Sequence, residues 1–263
     1  MGSPKYLLSS SVRSILRRLH QRGAIIIGRI FRGGIYSVRY VRTTLEGDTY
    51  FVPIYASHRP AVAMVITGKF YEPDTHALVG KLLYRISGDL IHAGTFFGDM
   101  IPSFSQKCKG KVYAFEPVLE NYILANLCLN ANNIENVILM NAALGPDFGI
   151  ARIDTGVESG LHHGGGSFVS DKGQITSMFP IDALATNDVA VIQLDVEGFE
   201  LSALQGAVET IRRCHPVILI EDNHGNCGPF LTGFGYEKRG DVPGLTIWST
   251  DEKASSVREA LNA

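Results

Sequence analysis

The stretch Gly88-Asp-Leu-Ile-His-Ala-Gly-Thr-Phe-Phe-Gly-Asp99 decides the fold. It reads as a short apolar strand (Leu90, Ile91), a turn holding Gly94 and Gly98, and a helix opening near Asp99. Glycine allows a tight backbone and a close ligand approach that a β-carbon would block. The start of the helix also aims free N–H groups at whatever lies above the sheet edge. Further on, Lys111-Val-Tyr-Ala-Phe115 reads as a second strand ending in Glu116 and Pro117. An acid at the tip of the second strand of such a unit is placed to accept both hydroxyls of a ribose. Turn and acid together predict a site for a nucleoside-type cofactor.

Working outward, strands and helices alternate from about residue 68. A helix over Asp74–Ile86 precedes strand 89–93, then helix 99–108, strand 111–115, helix 118–131 and strand 136–140. Strands follow at 149–155 and 174–179, a helical turn at Ile181–Leu184, strand Ala190–Asp195, helix 199–213 and strand Pro216–Ile220. The runs Tyr236–Arg239 and Leu245–Ser249, joined by Asp241-Val-Pro-Gly244, pair as an antiparallel hairpin before a last helix over 251–262. Such alternation implies an α/β domain with a largely parallel sheet and helices on both faces. The glycine-rich stretch 156–167, with His162 and His163, is too polar for regular structure and reads as a lid over substrate.

Residues 1–22 read as a basic amphipathic helix, with Val12, Ile15, Leu16 and Leu19 at helical spacing beside four arginines. Gly23 to Thr67 alternates apolar and polar residues between Gly, Pro and Asp breaks, which predicts β-hairpins. The expected organisation is therefore an extension, 1–67, serving as a cap or dimer contact, and a cofactor-binding domain, 68–263.

The chain has 263 residues, 45% hydrophobic and 19% charged, which suits one sizeable globular domain with a small addition. A net charge of −2 gives no electrostatic reason to expect nucleic acid. The four cysteines lack C-x-x-C spacing, which fits a reducing cytoplasm, and no apolar run reaches membrane-spanning length.

Four successive strands end in polar clusters: the turn 94–98, Glu116, Asp195/Glu197/Glu200, and Glu221 to His224. In an open parallel sheet, ligands bind beyond these ends. Asp195 and Glu221, on neighbouring strands, can act in two ways. One of them serves as general base, its pKa raised by the other, or the pair holds a divalent cation such as Mg with Asp222. His224 is the other candidate base. Glu200 reads as a first-turn acid favoured by the helix dipole.

The ordered segments "HAGTFFGD", "KVYAFEP", "NAALG", "VIQLDVEGFELSALQGA" and "PVILIED" resemble the FkbM family of S-adenosylmethionine-dependent methyltransferases over roughly residues 70–225. The resemblance implies a Rossmann-like seven-stranded methyltransferase sheet with an antiparallel last strand, and methyl transfer to oxygen on a sugar or natural-product hydroxyl. Carried over by position, Gly94, Thr95 and Gly98 would line the methionine part, with His92, Phe97 and Asp99 of the same stretch also binding cofactor. Glu116, with Pro117 beside it, would bind ribose, and Asn141 and Ala142 would lie near adenine. Asp195 and Glu197 would face the reacting centre. The chain departs from the family pattern twice, with His92 in place of an aspartate and Gln193 in place of a lysine.

Two other readings use the same residues. The spacing from Gly94 to Glu116 also suits a nicotinamide-dependent oxidoreductase, although the third-glycine pattern is missing. Alternatively, His92 and Gln193 mark a non-catalytic cofactor-binding module.

Overall fold

The computed structural model describes residues 22–28 and 35–262. The basic helix expected over 1–22 lies outside the described residues except for Arg22, which begins a strand.

Three antiparallel strands come first: β1 (Arg22–Gly28), β2 (Ile35–Leu45) and β3 (Asp48–Pro53). The hairpins expected up to Thr67 stop short, because helix α1 (Pro60–Ile66) follows. Pro60 occupies the first turn of that helix, where its fixed φ and missing N–H favour a helix start. α1 buries Ala61, Val62, Val65 and Ile66 against the small sheet.

The second part runs through α2 (Pro73–Arg85), β4 (Asp89–Ala93), α3 (Ile101–Lys107), β5 (Val112–Phe115), α4 (Leu119–Ala131) and β6 (Val137–Met140). Next come β7 (Ala142–Leu144), β8 (Gly149–Asp154), β9 (Phe168–Ser170), β10 (Gln174–Phe179) and β11 (Val189–Leu194). The chain continues with α5 (Glu200–Gln205), α6 (Val208–Cys214), β12 (Val217–Ile220), α7 (Cys227–Thr232), β13 (Glu237–Val242), β14 (Leu245–Ser249) and α8 (Ala254–Asn262).

Seven strands form the main sheet in the order β13-β14-β12-β11-β4-β5-β6. β12, β11, β4, β5 and β6 are mutually parallel, and β14 runs antiparallel to both neighbours. β4 and β11 are buried along nearly their whole length because helices cover both faces. Leu90 and Val191 pack on the side of α2, α3 and α8, while Ile91 and Ile192 pack on the side of α5, α6 and α7. From β4 the chain winds one way through β5 and β6 and the other way through β11 and β12. A crevice therefore opens between the carboxyl ends of β4 and β11.

Two features depart from the expected pattern. β7, β10, β8 and β9 form a separate four-stranded sheet under the 156–167 stretch. The single helix expected over 199–213 is two helices, because Asp182 caps the second. Its carboxylate accepts N–H bonds from Glu209 and Thr210 at 2.9 and 2.7 Å.

The small sheet packs on α4 through Val52, Phe97, Leu124 and Cys128, all fully buried. Asn132 fastens the junction by bonding the N–H and carbonyl of Thr49 at 2.7 and 2.8 Å. Truncating a side chain in such a seam, as in Leu124→Ala, costs about 2–5 kcal/mol.

Candidate active site

At the switch point, the backbone of β4 turns over that of β11. Gly94 has φ +91, and a β-carbon there would lie 2.0 Å from the Asp195 carbonyl oxygen, so only glycine fits. The turn then brings the N–H of Phe96 to Glu116.

Glu116 is buried, and its two oxygens are held differently. Oε2 accepts the Phe96 N–H at 2.7 Å, while Oε1 accepts the Val118 N–H at 2.8 Å and the Asn121 amide at 3.2 Å. Oε2 keeps a lone pair for a ligand. Burial pushes this carboxyl up to about 8, against the pull of the three donors.

Two cavities meet here. One is a cleft of about 500 Å³ with apolar walls from Phe115, Ala142, Leu144, Ile153 and Val169, and Glu116 and Pro117 at one side. The other, about 730 Å³, is polar and lies towards α1 and α2. Gly94, Gly165, Asp195 and Glu197 line both.

The polar cavity collects carboxyl groups. Burial first and the neighbouring Glu221 carboxyl second raise Asp195 well above the usual carboxylate range. Glu72 and Glu197 are raised by burial and by Glu221, and Asp99 is pushed up to about 7, mainly by burial. Arg59 meets Glu197 at 3.4 Å.

The glycine-rich stretch lies over the apolar cleft. His162 is buried, accepts the Gly164 N–H at 2.9 Å on Nδ1, and packs on Tyr55 with ring centres 4.4 Å apart. The Tyr55 hydroxyl donates to Asn121 at 2.8 Å, and Asn121 in turn donates to the Gly164 carbonyl at 3.3 Å. Gly164 has φ +63, and a β-carbon on it would sit 2.6 Å from that of Ala56. The extension therefore holds the covering loop in place.

The structure brings some of the expected residues together and moves others away. Gly94, Asp99, Glu116, Pro117, Ala142, Asp195, Glu197 and Glu221 line the two cavities. Phe97 faces the junction core, and Gly98 packs on Ala125 of α4. Asn141 donates to the Glu116 and Pro117 carbonyls at 2.9 and 3.1 Å, so it shapes the wall rather than lining it. Thr95 is buried with its hydroxyl unpartnered. His92 lies within the sheet, bonded to Gln193.

The cation set Asp195, Glu221 and Asp222 does not assemble. Asp222 turns to cap α7, taking N–H bonds from Asn226, Cys227 and Gly228. Among the described residues, no three His, Cys, Asp or Glu side chains converge to hold one ion. His224 is exposed, stands over Gly198 and lines neither cavity. Glu200 braces the turn by accepting the N–H groups of Val196 and Gly198 at 3.0 and 3.2 Å.

Arg59, Glu72, Tyr55 and Asn121 were not singled out from the sequence. Arg59 and Glu72 each precede a helix-starting proline, but nothing in the sequence says that they face the crevice.

A mixed seven-stranded sheet with its switch point under two joined cavities is a Rossmann-like α/β fold of the methyltransferase type. Residues 92–236 match the methyltransferase FkbM domain model, and the chain belongs to that family. No curated protein matches the chain. Among solved structures it is similar to methyltransferase FkbM from Methylobacillus flagellatus KT, at 16% identity and a TM-score of 0.47. That alignment covers 75% of this chain and 55% of the other, so this chain spans little more than half of that protein's length. It is also similar to an rRNA methylase from Streptococcus thermophilus, at 13% identity, TM-score 0.40, covering 67% and 94% of the two chains. A third similarity is to Trm5b from Pyrococcus abyssi, at 10% identity, TM-score 0.44, covering 90% and 66%. Among the described residues, no helix is long and apolar enough to cross a membrane.

Proposed function

We propose that the chain binds S-adenosylmethionine in the apolar cleft and methylates a hydroxyl of a sugar or natural-product acceptor held in the polar cavity. The observation that carries this reading is the wall common to both cavities, Gly94, Asp195 and Glu197, across which a group can pass between two bound molecules.

The residues present fit that cofactor. A slot between Phe115, Leu144 and Val169 accepts a flat base, and the free lone pair of Glu116 accepts a ribose hydroxyl. The Gly94 turn leaves no room for a β-carbon, and the unpartnered Thr95 hydroxyl lies in the same turn. Bound there, the cofactor supplies a methyl group on a positively charged sulfur. The protein's contribution is alignment, which provides most of the rate in an in-line displacement. Asp195, in the wall common to both cavities, is the carboxyl placed to take the proton of the acceptor hydroxyl. The segment up to residue 67 acts as a cap: Arg59, Pro60 and Ala61 form part of the acceptor wall.

Calorimetric titration of the full chain with S-adenosylmethionine and, separately, with NADH tests the reading. The expected result is one site for the sulfonium cofactor and none for the nicotinamide. Failure to bind S-adenosylmethionine contradicts it.

A further inference from the structure

We propose that His162 is a proton-operated latch: its neutral ring holds the glycine-rich loop shut over the apolar cleft, and protonation on mild acidification releases it. The latch stands on contacts within the chain. Only the molecule enclosed beneath it rests on the methyl-transfer reading above.

Gly164, Gly165 and Ser167 form the part of the loop that lines the apolar cleft. Gly164 is wedged in a left-handed turn against Ala56, Phe96 and Arg59. Its N–H ends on His162 Nδ1 at 2.9 Å, and its carbonyl takes the Asn121 amide. A ring nitrogen that accepts an N–H carries no proton, so the ring is neutral with its hydrogen on Nε2. That Nε2 is buried without a partner. A second proton can enter only at Nδ1. There it turns the acceptor into a donor facing the N–H it had held, on a residue that is 3% exposed.

The surroundings sharpen that conflict. The extension lays Tyr55 on the ring, with His58 close enough to act on it; the loop adds His163, and α4 adds the uncharged Asn121. Burial first, then His163 and His58, push His162 down to about 4. Carboxylates of the region are engaged elsewhere: Glu197 with Arg59, Asp154 with the Gly156 N–H, and Glu116 with Phe96, Val118 and Asn121. The three histidines do not form a metal site. Because the enclosed ring titrates below its ordinary value of 6.5, the closed loop is fully stable above that value and loses stability as pH falls towards about 4.

Amide hydrogen exchange of the free full chain, corrected for the intrinsic pH dependence of exchange, reads the latch. Protection of His163, Gly164 and Gly166, whose N–H groups are bonded, should fall roughly twentyfold between about pH 7 and 5, while the amides of β11 hold. His162→Asn keeps an acceptor for the Gly164 N–H and cannot titrate, so its protection should stay level. Should that variant not fold, nitrogen NMR of the wild-type ring decides: the hydrogen is expected on Nε2 at neutral pH, with protection lost as the ring becomes charged. Level protection in the wild type, an equal fall in His162→Asn, a fall shared by β11, or a proton on Nδ1 at neutral pH overturns the inference. Saturating S-adenosylhomocysteine at about pH 5 should restore protection in the wild type, and bound ligand without that gain also overturns it. A chain that takes no S-adenosylhomocysteine contradicts the methyl-transfer reading and leaves the latch standing.

Discussion

His92 on β4 and Gln193 on β11 are register partners, and the His92 Nδ1–H donates to Gln193 Oε1 beneath the floor of the crevice. These are the two positions where the sequence departs from the pattern it resembles, an aspartate and a lysine. The departures are therefore one exchange: a neutral hydrogen-bonded pair stands where two opposite charges would. Burial pushes His92 down to about 4, so the pair carries no charge at neutral pH.

Either change alone should strand a buried charge. We expect His92→Asp or Gln193→Lys to lower stability by about 3–5 kcal/mol, and the double variant to recover much of the loss. Urea denaturation of the three variants measures the coupling. Losses that simply add would contradict a coupled pair.

How much of this was legible in the sequence follows from range. The Gly94 turn, Glu116 and the acids after β11 and β12 sit at strand ends, which alternation locates without knowledge of packing. The C-terminal hairpin was equally clear, because Pro243 and Gly244 mark its turn. What stayed hidden depends on tertiary neighbours. Phe97 and Gly98 share the glycine-turn motif but point to α4, and Pro60 looked like a break when it is a helix start. The outer sheet of β7 to β10 joins strands that are individually too short to announce their pairing. His224 looked catalytic because it follows a strand end, yet the α7 cap formed by Asp222 turns that segment outward.

Stability without ligand should fall as pH rises. Glu116, at about 8, and Asp99, at about 7, bind protons more tightly folded than unfolded, so their contribution is full below the unfolded carboxylate range and is lost as pH passes through 7 to 8. Differential scanning calorimetry between about pH 5 and 9 should show a declining Tm, with a shallower decline in Glu116→Gln. An unchanged slope in that variant would place the titration elsewhere.

Ribose hydroxyls stabilise the ionised form of Glu116, so cofactor binding should release a proton near neutral pH. Titrations of S-adenosylhomocysteine in two buffers of different ionisation enthalpy should report that release. Affinity should rise as pH approaches about 8 and level off above it. Proton uptake on binding would contradict the assignment of Glu116.

Tyr55 ties the covering loop to the extension through His162 and Asn121. Tyr55→Ala should speed hydrogen exchange across residues 162–166 and weaken cofactor affinity by roughly tenfold, about 1.4 kcal/mol. Tyr55→Phe, which keeps the ring contact, should lose less. Unaltered exchange in Tyr55→Ala would show that the loop is held by other contacts.

The proposed transfer follows one line through the molecule, from Glu116 across Gly94 to Asp195. A crystal structure of the full chain with S-adenosylhomocysteine measures it directly. The ribose hydroxyls should lie within hydrogen-bonding distance of Glu116, the base between Phe115 and Leu144, and the sulfur facing Asp195. Density for the ligand outside this cleft, or a sulfur turned away from the polar cavity, would contradict it.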